Sequence, residues 1–390
     1  MEAILVLDAN QRSALAVTRS LGATGDYQID CADDTAQALA GCSRHCRDYL
    51  QSPSPAEQPL AFIDWLTQQL SQRQYRWVLP MTEISSRLLL AHQPQLPDLA
   101  MPFAPLEVVT QLSDKVQLTL RAQQLGLAVP ETRYLNDASE LDGSSCAFPC
   151  VLKPYLSRIY QGDHWLSTEV HIIHNPQQLE QALQLPYFQG HPFMLQAFVP
   201  GHGGGIFCYY QRGQMAAHFA HCRLREKPPG GGVSVLSESR AADQQLLAAA
   251  QQLLDDANWH GVAMVEFRIG DDGTAYLMEV NTRFWGSLQL AIDAGVDFPK
   301  LLLAGESAAA LPPQPAYRQG QQLRWLLGDL DSLYICLKSS NYSAIAKLRR
   351  IAAFLLPKFS QRKHEVNRLD DLGPAKFELR QYLLQLIGKH

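Results

Sequence analysis

The chain has 390 residues, 46% hydrophobic and 18% charged, which is an ordinary soluble composition and enough for two or three domains. Its 33 basic and 38 acidic residues give a formal net charge of −5, which excludes a broad basic surface for nucleic acid. No uncharged apolar run is long enough to span a membrane.

The opening MEAILVLDAN has no basic flank and reads as a strand, not a signal peptide. Eight scattered cysteines, without matched zinc-ligand spacing, fit reduced thiols, so a cytoplasmic location is expected. Ile4–Leu7 is a short buried strand ending at Asp8-Ala9-Asn10, and a helix over Gln11–Leu21 is stopped by Gly22. The turn between them lacks Gly-x-Gly-x-x-Gly, so no dinucleotide site is expected. Gly41 to Pro59 reads as a loop, Ala61–Leu70 as an amphipathic helix and Arg76–Pro80 as another strand, with Thr82 capping the next helix. Strands alternating with helices imply a small parallel sheet.

Pro94, Pro97, Pro102 and Pro105 mark a boundary. Ser113 is expected to cap a helix carrying Lys115, with Gly126 as its stop and Pro130 beyond. Phe148–Pro154 is a short apolar strand ending at Lys153; a lysine beside such a run either snorkels to water or meets an anion. Tyr155–Asp163 has one glycine, Gly162, and also carries Arg158. His171 and His174 fall on opposite faces of a strand and read as surface and core residues. Phe193–Gly201 is a further strand, with Gln196, Phe198 and Val199 near its end.

Ile206–Tyr210 and Met215–Phe219 form a hairpin about Gln211-Arg212-Gly213. Beyond it, alternation places Arg223 and Arg225 on one face, joined by Lys227 if the strand continues. Glycines 230–232 would let main-chain N–H groups approach an anion closely. Ala241–Ala257 is a helix.

Two apolar runs, Val262–Ile269 and Thr274–Val280, then flank Gly270-Asp271-Asp272-Gly273 and read as a β-hairpin. A type I′ turn at Asp272-Gly273 sets Glu266 opposite Glu279, with Asn281 on the same face; a four-residue loop over 270–273 moves the pairing one diagonal step but keeps both carboxylates on that face. Like charges so placed repel. Two carboxylates and an amide oxygen are hard ligands, suited to Mg²⁺ that also holds phosphates. Leu288–Ala294 is a helix, residues 308–315 read as a linker, and Tyr317 to His390 is mostly helical. The basic, apolar segment Lys347–Lys358 either packs on the domain as a helix or touches an anionic membrane surface.

The hairpin resembles the metal-binding end of the ATP-grasp superfamily, with Glu266 on one strand and Glu279-Val280-Asn281-Thr282-Arg283 on the next. The elements before it come in that family's order and cover roughly residues 110–305. By this resemblance Lys115 and Lys153 contact the ATP phosphates, and Gln196, Phe198 and Val199 form the adenine hinge. Arg283, with Arg223 or Arg225, stabilises the reacting group. Glu266, Glu279 and Asn281 hold Mg²⁺, or Mn²⁺ in its place. The 155–163 segment departs from the family's glycine-rich phosphate flap, and His202–Gly205 leaves the ribose contact unassigned.

The fold class implied is α/β: an open parallel α/β domain at 1–109, a two-lobed ATP-grasp module at 110–305 and a mostly helical extension at 306–390. The activity implied is that of a carboxylate–amine ligase with carbamoyl-phosphate-synthase-like relatives. It would form an acyl phosphate from ATP and pass the acyl group to an amine. Small-molecule carboxylates and amines are the expected partners, with no nucleic acid, and a homodimer is compatible. The alternatives are an ATP-grasp kinase and a non-catalytic nucleotide-binding regulator. A biotin-dependent carboxylase fits less well, because no Met-Lys-Met carrier motif is present.

Overall fold

Ile4, Leu5 and Val6 are fully buried because the sheet they belong to is covered on both faces. They form β1 (Glu2–Val6), followed by α1 (Arg12–Gly22), β2 (Tyr27–Asp33), β3 (Cys46–Gln51), α2 (Pro59–Gln72), β4 (Tyr75–Leu79) and α3 (Glu83–Ala91). The strands make a parallel sheet in the order β3-β2-β1-β4. This computed structural model describes residues 1–96, 101–141, 146–229, 232–307, 313–356 and 361–388. Pro97, Gly230, Gly231, residues 308–312 of the expected linker, and Pro357 and Lys358 lie outside them. Thr82 caps α3 by accepting from Ser85 N–H, as expected.

Two of these strands escape the sequence pattern. β2 carries Asp30 at its centre, fully buried and held by Arg47, Arg73 and the Tyr75 hydroxyl, which breaks the apolar run a core strand normally shows. β3 lies inside the expected 41–59 loop, and as an edge strand it keeps a charged, half-exposed sequence.

The chain continues with α4 (Leu106–Ser113) and α5 (Lys115–Gln124). Asp114, not Ser113, caps α5: its Oδ1 accepts from Val116 N–H at 2.9 Å and Gln117 N–H at 3.0 Å. Ser113 closes the preceding helix instead. A small lobe follows, with β5 (Thr132–Leu135), β6 (Cys150–Pro154), β7 (Arg158–Tyr160), β8 (Trp165–Ser167), β9 (His171–Ile173), α6 (Pro176–Leu183) and β10 (Phe193–Ala197). Its antiparallel sheet runs β5-β10-β6-β9, and β7 and β8 form a separate hairpin over residues 158–167.

The large lobe contains β11 (Gly201–Gln211), β12 (Gln214–Lys227), β13 (Val233–Arg240), α7 (Gln244–Asp256), β14 (Gly261–Gly270), β15 (Ala275–Asn281), α8 (Leu288–Ala294) and α9 (Phe298–Ser307). The C-terminal part adds β16 (Gln322–Arg324), α10 (Leu326–Lys338), α11 (Ala344–Leu355), β17 (Arg362–His364) and α12 (Gly373–Leu386). The resulting seven-stranded sheet runs β15-β14-β11-β12-β13-β16-β17. Thus the mostly helical extension also contributes two strands to the central sheet. At three residues each, they are too short for an alternation pattern to mark.

Alternation along β11 and β12 divides the core. Phe207, Tyr209 and Phe219 pack with Trp285, Phe298 and the N-terminal domain's Val6 and Leu15. Ile206, Cys208, Tyr210 and Ala220 pack on the other face with Leu253 and Trp259. Arg19 ties the N-terminal domain to the end of the chain: its Nε meets Asp371 at 2.8 Å, and its other nitrogens donate to the carbonyls of Glu365 and Val366.

Candidate active site

The β14–β15 hairpin pairs Met264 with Asn281, Val265 with Val280 and Glu266 with Glu279, the register expected from its turn. Beyond Glu266 the register shifts, so Phe267 faces Leu277 and Met278 is the extra residue of a bulge. The turn differs from the type I′ expectation. Only Gly273 has a positive φ, +80°, while Asp272 accepts from Thr274 N–H and hydroxyl and so keeps an ordinary conformation.

The facing carboxylates do meet a positive neighbour. Arg223 Nη2 lies 2.9 Å from Glu266 Oε2, and Asn281 Nδ2 lies 3.0 Å from Glu266 Oε1 and 3.5 Å from Glu279 Oε1. Arg283 Nη2 stands 3.5 Å from Asn281 Oδ1. Burial, and then the charge on Glu279, push the Glu266 carboxyl up to about 7, against the pull of Arg223. Its side chain remains 21% exposed, which tempers the burial contribution. A carboxyl held up by a neighbouring carboxylate is short of positive charge, and a divalent cation supplies it. Glu266, Glu279 and, once its amide is turned to present oxygen, Asn281 fit such an ion. Among the described residues no three His, Cys, Asp or Glu side chains gather as a metal site; here the third donor is an amide.

Lys153 lies on β6, nine-tenths buried, with Nζ 3.6 Å from Met278 Sδ. Burial brings its ammonium down to about 8, while Glu279 holds it up and Lys115 adds to the lowering. Lys115 opens α5, also buried, and donates to Ser157 Oγ at 2.8 Å. Lys153 therefore approaches the hairpin face from the small lobe and Lys115 from α5, with Ser157 beside the 158–167 hairpin as a partner the sequence did not single out.

Gln196 is buried at the end of β10; its Nε2 donates to Thr132 Oγ1, and its Oε1 has no partner among the described residues. Phe198 and Val199 lie in the link to β11, half-buried, with the Val199 carbonyl accepting from Arg268 Nε. A 420 Å³ cavity opens between the hairpin face and the N-terminal domain. Asp8, Glu83 and Thr82 line one side, and Arg158, Glu279 and Arg283 the other. Asp8 and Glu83 were not singled out from sequence; the signal available was their place after β1 and β4, at the carboxyl ends of parallel strands. A larger groove of 810 Å³ lies at the opposite end of that sheet, around Gln28, Arg73 and Arg76, remote from these groups.

Arg225 does not join the set. Register shifts at Leu224 pair Arg223 with Ser237 and Arg225 with Leu236, adjacent residues of β13 that point to opposite faces. Arg223 reaches Glu266, whereas Arg225 Nη2 reaches Asp329 on α10 at 2.7 Å. Lys227 likewise bonds Asp331 of α10. His171 bonds the Tyr187 hydroxyl, and His164 bonds Asp163.

With these features in place, the chain can be set beside known proteins. A family model described as ATP-grasp in the biosynthetic pathway with Ter operon matches residues 189–328. The L-amino acid ligase of Bacillus licheniformis superposes with a TM-score of 0.62 at 16% identity, over 83% of this chain and 78% of that one. Biotin carboxylase of Campylobacter jejuni gives 0.64 at 17% identity, over 82% and 74%. N5-carboxyaminoimidazole synthetase of Staphylococcus aureus gives 0.60 at 13% identity, over 81% and 80%.

The fold is ATP-grasp.

No protein of curated function matches in sequence. No helix among the described residues is long and apolar enough to cross a membrane.

Proposed function

We propose that this ATP-grasp protein is an ATP-dependent ligase that activates a carboxylate as an acyl phosphate and joins it to an amine. The observation that carries the reading is the cluster on one hairpin face: two opposed carboxylates, Asn281 and two arginines, with Lys115 and Lys153 facing it. Charge of both signs held in a partly closed cleft suits phosphoryl transfer, where positioning and electrostatic stabilisation carry most of the catalysis.

In this reading Lys115 and Lys153 bind the ATP phosphates, and Gln196 Oε1 and the 197–199 main chain receive adenine. Glu266, Glu279 and Asn281 would hold Mg²⁺ or Mn²⁺, and such an ion would neutralise phosphate charge. Arg283 and Arg158 orient the substrate carboxylate from the cavity side. Its oxygen attacks the γ-phosphorus and ADP leaves; the amine then attacks the acyl carbon, and phosphate leaves with that oxygen. Arg223 favours the ionised form of Glu266 against burial and the charge on Glu279. The similarity to an L-amino acid ligase and to N5-carboxyaminoimidazole synthetase supports ligation over phosphorylation of a hydroxyl. Soluble cytoplasmic action on small molecules accompanies this reading.

The test is an ATP-turnover screen over pairs of carboxylates and amines. The ligase reading predicts ADP and free phosphate in equal amounts, dependent on a carboxylate. Accumulation of a phosphorylated acceptor without free phosphate contradicts it.

A further inference from the structure

The basic strand contains a second charged group that the active site does not use. On the face of the large sheet opposite Glu266, Arg225, Arg324 and Arg350 converge on one carboxylate. Asp329, fully buried, receives Arg225 Nη2 and Arg324 Nε at 2.7 Å on Oδ2 and Arg350 Nη2 at 2.6 Å on Oδ1. Three guanidinium groups against one carboxylate leave net positive charge in a dry place. β17 adds to it, pairing Arg362 with Gln322 and His364 with Arg324 in register.

The hydrogen bonding is incomplete in the same place. Arg225 Nε, Arg324 Nη2, Arg350 Nη1 and His364 Nδ1 are inaccessible to water and have no partner among the described residues. Arg324 is only 7% exposed. Burying a charged donor without an acceptor is unfavourable, and guanidinium groups find their best acceptors in oxyanions. Burial first, and then Arg350, Arg324 and Arg362, bring Arg225 down to about 10 despite Asp329.

The cluster is covered by α11, which has no buried residue of its own. Its ties here are Arg350 to Asp329, the Ala353 carbonyl to Arg225 and Phe354 under the Arg324 guanidinium at 4.1 Å. Its seat therefore depends on the same side chains.

We propose that this cluster is a second anion site, separate from the ATP face, which takes a phosphoryl group with α11 as its cover. Donors from three separate arginines outnumber what the two oxygens of a carboxylate can accept and match a tetrahedral oxyanion. The ligand is inorganic phosphate or the phosphate of a small ester.

The full-length protein is melted in inorganic phosphate, glycerol phosphate, acetate and chloride at equal ionic strength, and hydrogen exchange is followed over residues 344–355. Phosphate or its ester is expected to raise Tm above chloride and to slow exchange in α11. The larger of the two shifts tells free phosphate from ester. Arg350→Gln, on an exposed helix, should abolish both effects, whereas Arg283→Gln, on the ATP face, should leave them. Equal Tm in phosphate and chloride overturns the proposal, as does an equal effect of acetate. A shift that survives Arg350→Gln, or that is lost in Arg283→Gln, places the anion elsewhere and also overturns it. The exchange measurement on the unaltered protein stands even if a variant fails to fold.

Discussion

Glu279 and Glu266 stand opposite each other with one amide and one guanidinium between them, so the charge on each matters to the other. Glu279→Gln keeps the shape and removes one charge. Loss of a charge-stabilising group of this kind costs roughly 3–4 kcal/mol in the transition state, about two to three powers of ten in rate. The metal-free variant should melt no lower than wild type, because a repulsion has gone, yet gain less from Mg·ATP. Near-normal turnover with an unchanged Mg·ATP shift would remove the metal role. Close by, His221 is stacked on Phe207 at 4.6 Å and held neutral: burial, and then Arg223, lower it to about 3. A histidine with a depressed folded value stabilises the fold above its ordinary value near 6.5 and loses that stability as pH falls toward 3. Protonation of the unfolded chain at pH 5 then amounts to about 2 kcal/mol through this group. His221→Phe, which keeps the stacking, should shrink the drop in unfolding free energy between pH 7 and pH 5 by about that much. An unchanged drop would show that His221 is not the group responsible.

At the scale of elements, one bulge divides the work of the basic strand. Without the register shifts at Leu224, Arg223 and Arg225 would share a face; with them, one serves the hairpin and the other anchors α10. Arg223→Ala should impair ATP turnover with little change in Tm. Arg225→Ala should do the reverse and destabilise by about 1.5–3 kcal/mol, the worth of a hydrogen bond to a charged group, since Arg324 and Arg350 still hold Asp329. Measuring turnover and chemical denaturation on both variants checks the division, and a turnover loss confined to Arg225→Ala would reverse it. The bulge also shows what the sequence could and could not reveal. The Glu266–Glu279 pairing was foreseen although the turn is not type I′, because the Met278 bulge offsets the different turn by one residue. Alternation has no sign for an extra residue, so Arg225 was placed with Arg223. β2 was hidden by its buried Asp30, whose partners come from β3, β4 and the α2–β4 turn. The helix start at 115 was legible to within one residue, because Ser113 and Asp114 are both good caps and only geometry chooses between them.

Across the whole molecule, the α/β domain, the large lobe and the C-terminal strands share a core while the small lobe keeps its own, and the cavity at the hairpin has walls from all but the C-terminal part. Asp8 and Glu83 come from the first domain, Arg158 from the small-lobe hairpin and Arg283 from the large lobe. The order of motifs along the chain was enough to foresee the fold, but not which side chains of the first domain line the cavity, since that depends on docking and not on local pattern. The function proposed for these parts is activation of a carboxylate at the expense of ATP. The most direct test uses carboxylates found active in the turnover screen, labelled with ¹⁸O, and follows the label after ligation. Acyl phosphate formation predicts that one ¹⁸O atom from the carboxylate appears in the released phosphate for each ADP formed. ADP formation with unlabelled phosphate would contradict it.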